Sequence, residues 1–290
     1  MASDRPERDT AGALKMMEWE SPETAEAWRQ MRAMDGGVFA AATERMLDLA
    51  GAGAGDRILD VAAGTGEQTL AAARRVGPTG SVLATDISAS MLAVAADVLR
   101  QEGWSNVETL VADAQRLDLA PDSFDAAISR FGVMLIPAHQ EALFAIRRAL
   151  KPGGKLAAMV WSMAERNPFF ALPLGILQAR GLLPSSEPGQ SVPGPFVLGT
   201  LDALENVLRQ AGFHDVAVEP VTLCWRFPSV AATLDYLRLN VAALPRKTRE
   251  GLAGASGEHV FAEFEQALDR FRGPNGLEVP GEALIGAGAK

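Results

Sequence analysis

Short apolar runs and amphipathic stretches alternate along most of this chain. Ile58, Leu59 and Val61 form a short apolar, β-branched run, the pattern of a buried strand. The alanine-rich stretch from about Glu67 to Arg75 then reads as a helix. The same beat continues with strand Ser81–Asp86, helix Ser88–Gln101, strand Val107–Val111, strand Asp125–Arg130, helix His139–Leu150 and strand Lys155–Trp161. Turns fall where glycine, proline and small polar residues cluster, at Gly77-Pro78-Thr79-Gly80, Pro121-Asp122-Ser123 and Lys151-Pro152-Gly153-Gly154. This alternation predicts an α/β fold on a doubly wound, mainly parallel sheet.

The flanks read differently. Ser21-Pro22 signals a helix over Glu23 to about Met34, and a second helix is expected from Val38 to Ala50. Beyond Ser162, proline, glycine and apolar residues dominate to residue 200, including Asn167-Pro168-Phe169-Phe170, Pro184, Pro188, Pro193 and Pro195. That stretch is too irregular for another strand–helix repeat and suits a lid or substrate loop. Thr200 or Asp202 caps a helix closed by Gly212, Val216–Phe227 is strand-like, and Leu277–Gly288 suits a final strand. The expected organisation is an N-terminal helical segment (1–37), an α/β core (38–162), a lid (163–200) and a closing part (201–290) with a helical cap insertion at 229–272.

Composition narrows the partners. The chain of 290 residues is 48% hydrophobic and carries a net charge of −9, which argues against a nucleic-acid partner. Cys224 is the lone cysteine, and His139, His214 and His259 are far apart, so no metal-ligand spacing is present. The charged start, Met-Ala-Ser-Asp-Arg, has no apolar signal region, and no run is long enough to form an integral membrane segment. The expectation is a cytoplasmic protein.

Candidate chemistry gathers at strand ends. After Val61 the chain turns through Ala62-Ala63-Gly64-Thr65-Gly66 straight into a helix, which brings backbone N–H groups close to a ligand. Asp86 ends the second strand and can accept from both hydroxyls of a ribose, unless it caps the next helix, a task Ser88 can take instead. Asp113 follows the third strand at its C-terminal end. A nicotinamide-binding loop would need a third glycine where Thr69 stands, and Asp60 would repel a pyrophosphate but suits an ammonium group.

With these residues the chain resembles the class I S-adenosylmethionine-dependent methyltransferases, and among them the ubiquinone/menaquinone-biosynthesis subgroup. The resemblance rests on Ile58-Leu59-Asp60-Val61-Ala62-Ala63-Gly64-Thr65-Gly66, Ala84-Thr85-Asp86-Ile87-Ser88, Asp113-Ala114, Ser123-Phe124-Asp125 and Arg147-Arg148-Ala149-Leu150-Lys151-Pro152-Gly153-Gly154. It implies a seven-stranded, Rossmann-like sheet with an antiparallel last strand, and S-adenosyl-L-methionine as methyl donor. Asp60 and the Ala62, Ala63, Gly64, Thr65 and Gly66 loop would hold the methionyl part, and Asp86 the ribose. Ile87 and Met91 would pack on the adenine, Asp113 and Ala114 would bond to it, and Arg130 with Phe131 would line the space near the methyl.

Methyl transfer from a sulfonium needs in-line placement and exclusion of water, with a general base if the acceptor is a phenol or an enolisable carbon. His139 and Tyr236 are the candidate bases, and Trp19 and Trp28 could fold over the donor. Two apolar clusters, Phe169 to Leu177 and Leu234 to Val241, suit a small lipophilic or aromatic acceptor, or else bury each other or a homodimer face. The alternative function is a donor-binding regulatory or scaffold protein without catalysis.

Overall fold

The computed structural model describes residues 18–183, 194–241 and 243–290. Residues 1–17 of the N-terminal segment and Pro184, Pro188 and Pro193 of the expected lid lie outside them.

The sheet is built around β1 (Arg57–Val61), whose Ile58, Leu59 and Val61 are completely buried. Parallel neighbours flank it. On one side lie β2 (Ser81–Asp86) and then β3 (Val107–Val111), on the other β4 (Phe124–Arg130) and then β5 (Leu150–Trp161). Beyond β5 come the antiparallel β8 (Gly276–Ala289) and, at the edge, β6 (His214–Phe227). The order β3-β2-β1-β4-β5-β8-β6 is the expected seven-stranded path, and β8 alone runs against its neighbours. A two-residue β7 (Arg272–Gly273) pairs with the start of β8 in a hairpin. The chain leaves β1 in both directions, so the crevice at the C-terminal ends of β1 and β4 is the switch point where such sheets take ligands.

The connecting helices keep close to the expected spans: α1 (Pro22–Met34), α2 (Ala40–Leu49), α3 (Glu67–Val76), α4 (Ala89–Gln101) and α5 (His139–Ala149). Ser21 and Ser88 cap α1 and α4 by accepting from Thr24 N and Met91 N. Strand β5 begins at Leu150, five residues before the expected start, because β4 offers Phe124 as a partner for Leu150 before the register shifts.

The expected loop at 163–200 differs most. Pro168 opens α6 (Pro168–Ala179), a helix that also contains Pro173. Proline at the first turn costs no hydrogen bond, and Phe169 and Leu177 anchor the helix in the core. Residue composition read as loop is here overridden by burial. The helix α7 (Leu201–Gln210), capped by Thr200, buries Leu204 and Leu208 on β8. A side chain on Gly286 would meet Leu204 and Leu208 at 2.8–2.9 Å, so the small residues of β8 set how closely α7 approaches. The cap insertion is helical, as expected: α8 (Val230–Val241), α9 (Arg246–Gly251) and α10 (Gly254–Leu268). Helix α1 packs on α8 and on α4, joining the N-terminal segment to the cap.

Candidate active site

The elbow after β1 is held in its turn by its neighbours. Ala62 takes a left-handed φ of 59°, and Ala63 N donates to Thr85 O of β2 at 3.0 Å. Gly66 has φ 82°, and a side chain there would lie 2.7 Å from Ala95 Cβ of α4. Only glycine serves at that position, both for conformation and for the close approach of α4. Gly64 (φ 55°) instead has open space around it, leaving room over the elbow. Thr65 is buried in the turn.

Asp86 closes the loop from the next strand. Its carboxylate accepts from Gly64 N and from Ser88 N, both at 2.8 Å. Ser88, not Asp86, accepts from Met91 N at the start of α4, which leaves Asp86 aimed at the elbow. Burial raises the Asp86 carboxyl above the usual range, against the pull of those backbone donors. Asp113 accepts from Gln115 N and Nε2, and Gln115 Oε1 in turn accepts from Ala138 N across the crevice. Ala62, Asp86, Ile87, Asp113 and Ala114 therefore share one cleft, which Ile136 and Pro137 close from the far side. Met91 is buried behind it and does not line it.

Asp60 lies elsewhere. It is completely buried beneath the elbow, accepting from Thr69 Oγ1 at 2.5 Å and Gln68 Nε2 at 3.3 Å. Gln68 Nε2 also reaches the carbonyls of Ala62 and Ala63. Desolvation pushes the Asp60 carboxyl up to about 7 despite these donors. As it stands, Asp60 ties the elbow to α3 rather than facing the cleft. Thr69 earned notice in the sequence only as a missing glycine; its hydroxyl is what holds this carboxylate.

A second layer covers the ends of β4, β5 and β6. Arg130 pairs with Glu67 at the start of α3, donates to Thr43 Oγ1 of α2 at 2.9 Å and lies over the Phe39 ring at 5.1 Å. Phe131, with φ 59°, stacks on Trp161 at 4.1 Å between ring centres. Phe39 meets the edges of Phe131 and Trp225, and Phe169 stacks on Trp225. These rings come from five separate elements, so no local signal in the sequence could have grouped them.

The candidate bases separate. His139 is the first residue of α5, two positions past Pro137 and outside the cleft lining. Tyr236 is buried among Phe169, Trp225 and Phe227. Burial, with Asp35 and Glu67 nearby, drives its phenol well above the ordinary value, so it keeps its proton at neutral pH and can donate but not act as a base. Trp19 and Trp28 meet edge to face at 5.1 Å, and Ser90 Oγ of α4 donates to Glu20 O beside them at 3.2 Å. The N-terminal segment thus docks next to the Ser88 end of the cleft.

Strand order, elbow and paired strand-tip carboxylates together define a methyltransferase-like α/β fold. Residues 36–176 match the ubiE/COQ5 methyltransferase family. The ubiquinone/menaquinone biosynthesis C-methyltransferase UbiE of Pseudomonas aeruginosa is 39% identical over 135 residues, 46% of this chain and 53% of that protein. The chain thus matches about half the length of this curated relative. A phosphoethanolamine N-methyltransferase 2 of Haemonchus contortus, solved with S-adenosylhomocysteine, superposes with a TM-score of 0.54 at 21% identity, over 86% of this chain and 52% of that one. The [4+2]-cyclase SpnF superposes with a TM-score of 0.53 at 23% identity, over 86% and 80%. The resemblance to class I methyltransferases is thereby borne out, and the structural likeness extends the shared fold past the matched segment. Among the described residues, no helix is long and apolar enough to cross a membrane.

Proposed function

We propose that the chain is an S-adenosyl-L-methionine-dependent methyltransferase acting on a small lipophilic or aromatic acceptor of quinol or phenol type. One observation carries the reading: Asp86 and Asp113, at the tips of adjacent parallel strands, face one cleft beside the Ala62–Gly66 elbow. The residues fit the donor by their chemistry. Asp86 offers a carboxylate to ribose hydroxyls, Asp113 one to the adenine amino group, and Ile87 an apolar face for the ring. The bare side of Gly64 leaves space for the methionyl part. When bound, the donor supplies an electrophilic methyl group on sulfur. The residues of the chain then have to orient the acceptor and keep water out, and the aromatic layer from Phe39 to Trp225 supplies such an enclosure. The name of the Pseudomonas aeruginosa relative, a quinone-biosynthesis C-methyltransferase, agrees with an aromatic acceptor.

Titration with S-adenosylhomocysteine, followed by incubation with methyl-labelled donor and a panel of quinols, phenols and amines, tests the reading. Saturable 1:1 binding and a labelled aromatic product are expected. Tight donor binding without product from any acceptor would favour a non-catalytic donor-binding protein.

A further inference from the structure

The sheet ends at β3, and little guards that edge against pairing. Val107-Glu108-Thr109-Leu110-Val111 holds neither proline nor lysine, and its register with β2 runs without a bulge. Glu108, Thr109, Leu110 and Val111 are exposed, and Leu110 (39%) and Val111 (55%) are among the few large apolar side chains left in solvent. Between β3 and β4 the chain forms no α-helix, making instead the short turn Ala114–Arg116. On the face of Leu83 and Glu108 the sheet therefore opens into a hollow that Arg57 and Ser81 also line.

The bonds to β2 fix which backbone groups the edge presents. Val82 N donates to Asn106 O at 3.1 Å, and Ala112 N to Asp86 O at 2.9 Å. Residues 106 and 112 thus turn their amides toward β2, and by the two-residue alternation so do Glu108 and Leu110. Val107, Thr109 and Val111 point N–H and C=O outward, where no strand among the described residues pairs with them. One partner fits this edge by symmetry. A second copy of β3, antiparallel about a two-fold axis at Thr109, sets Val107 opposite Val111, Glu108 opposite Leu110 and Thr109 opposite itself. Every outward residue then meets an outward residue, and three N–H groups from each strand give six hydrogen bonds. Charge agrees with this arrangement. Glu108, the one charge on the strand, faces Leu110 and not another Glu108. The start of each strand also lies beside the end of the other, which brings Glu108 toward the turn that carries Arg116 of the second copy. Neither residue has an ion pair among the described residues. In a chain of net charge −9, an apolar edge with a single carboxylate is a place where two copies repel little.

We propose that β3 is a self-association edge, through which two copies of the chain pair antiparallel about Thr109 and join their sheets. The inference goes beyond methyl transfer and does not depend on it. Five residues from each copy make a small contact, so the dimer is weak and concentration-dependent, with a Kd of about 1–100 μM. Two residues past the paired strand stands Asp113 of the cleft, so pairing steadies the strand that presents it.

Sedimentation velocity of the intact chain, from about 1 to 200 μM, reads the association directly. Wild type should pass from monomer to dimer within that range. Thr109→Lys and Thr109→Glu each set like charges face to face at the axis, and each should weaken dimerisation by at least about 30-fold. An equimolar mixture of the two variants opposes a cation to an anion there and should recover dimerisation to within about threefold of wild type. Thr109→Pro removes an outward N–H while sparing the bonds to β2, and should leave a monomer. Because the Thr109 side chain is exposed, the melting temperatures of the two charged variants at low concentration should stay within about 3 °C of wild type. Three results overturn the proposal. The first is a wild type that stays monomeric up to about 200 μM, which would leave the edge to a strand of another protein. The second is undiminished dimerisation of both charged variants, which would put the interface elsewhere. The third is a mixture that stays monomeric while wild type dimerises.

Discussion

The two sides of the crevice are built by different physics. On the donor side, the elbow, Asp86 and Asp113 lie within one run of consecutive strand–loop–helix units, and the groups that matter are backbone N–H donors and carboxylates. On the acceptor side, Phe39 just before α2, Phe131 just after β4, and Trp161, Phe169, Trp225 and Tyr236 of β5, α6, β6 and α8 come together, and what holds them is ring packing. A site made of local turns can be retained while the enclosure around it is rebuilt. The matched segment, 36–176, contains the whole donor side and stops short of Trp225 and Tyr236. SpnF, a cyclase on the same fold, makes the corresponding point: the sheet does not settle what is done above it.

The largest expected effect separates stability from binding. Trp225 is 1% exposed and touches Phe39, Phe169, Phe227 and Tyr236. Trp225→Ala should cost about 3–5 kcal/mol of stability, read by denaturant unfolding. At a temperature where the variant is still folded, its S-adenosylhomocysteine affinity should remain within a fewfold of wild type. Equal damage to affinity would mean the two sides are not independent.

Asp86→Ala inverts that pattern. On the proposed reading, in which Asp86 accepts from the ribose hydroxyls, losing its carboxylate should weaken S-adenosylhomocysteine by about 100-fold in calorimetry. A loss below about threefold would take Asp86 out of the donor site.

Asp60 sharpens the comparison through pH. Its carboxyl stands at about 7 in the folded protein, above the ordinary value near 3.8. The folded chain therefore holds the proton where the unfolded chain has released it, and the position costs stability as pH rises between those two values. The slope there is about 1.4 kcal/mol per pH unit. Asp60→Asn should remove that slope, measured as the difference in unfolding free energy between pH 5 and pH 7. The same slope in both proteins would show that Asp60 is ionised in the folded state throughout.

The smallest effect belongs to the surface. Arg74 and Glu102 pair at 2.8 Å with about half of each side chain exposed, so Arg74→Ala should shift stability by no more than about 0.5 kcal/mol. A larger loss would mean that the α3–α4 contact supports the elbow.

Legibility in the sequence follows the same divide. Strand β2 falls on the expected residues, and β1, β4 and α4 within one, because buried apolar runs and serine caps are local signals; β3 also falls on the expected residues, although Glu108 to Val111 are exposed. Of the residues expected around one ligand, Ala62, Asp86, Ile87, Asp113 and Ala114 line one cleft, while Ala63, Gly64, Thr65, Gly66, Met91, Arg130 and Phe131 are not in its lining. Asp60 was expected to face that ligand too; nothing in Leu59-Asp60-Val61 reveals that Thr69 and Gln68 would turn its carboxylate inward. Helix α6 was hidden by its prolines, whose helix-breaking tendency says nothing about the Trp225 and Phe227 rings that hold Phe169.

The most direct measurement is calorimetric titration of the intact chain with S-adenosylhomocysteine, paired with a melting curve at saturation. Stoichiometric 1:1 heat and a higher melting temperature are the predicted result. No heat and no shift at millimolar ligand would contradict the account at its root.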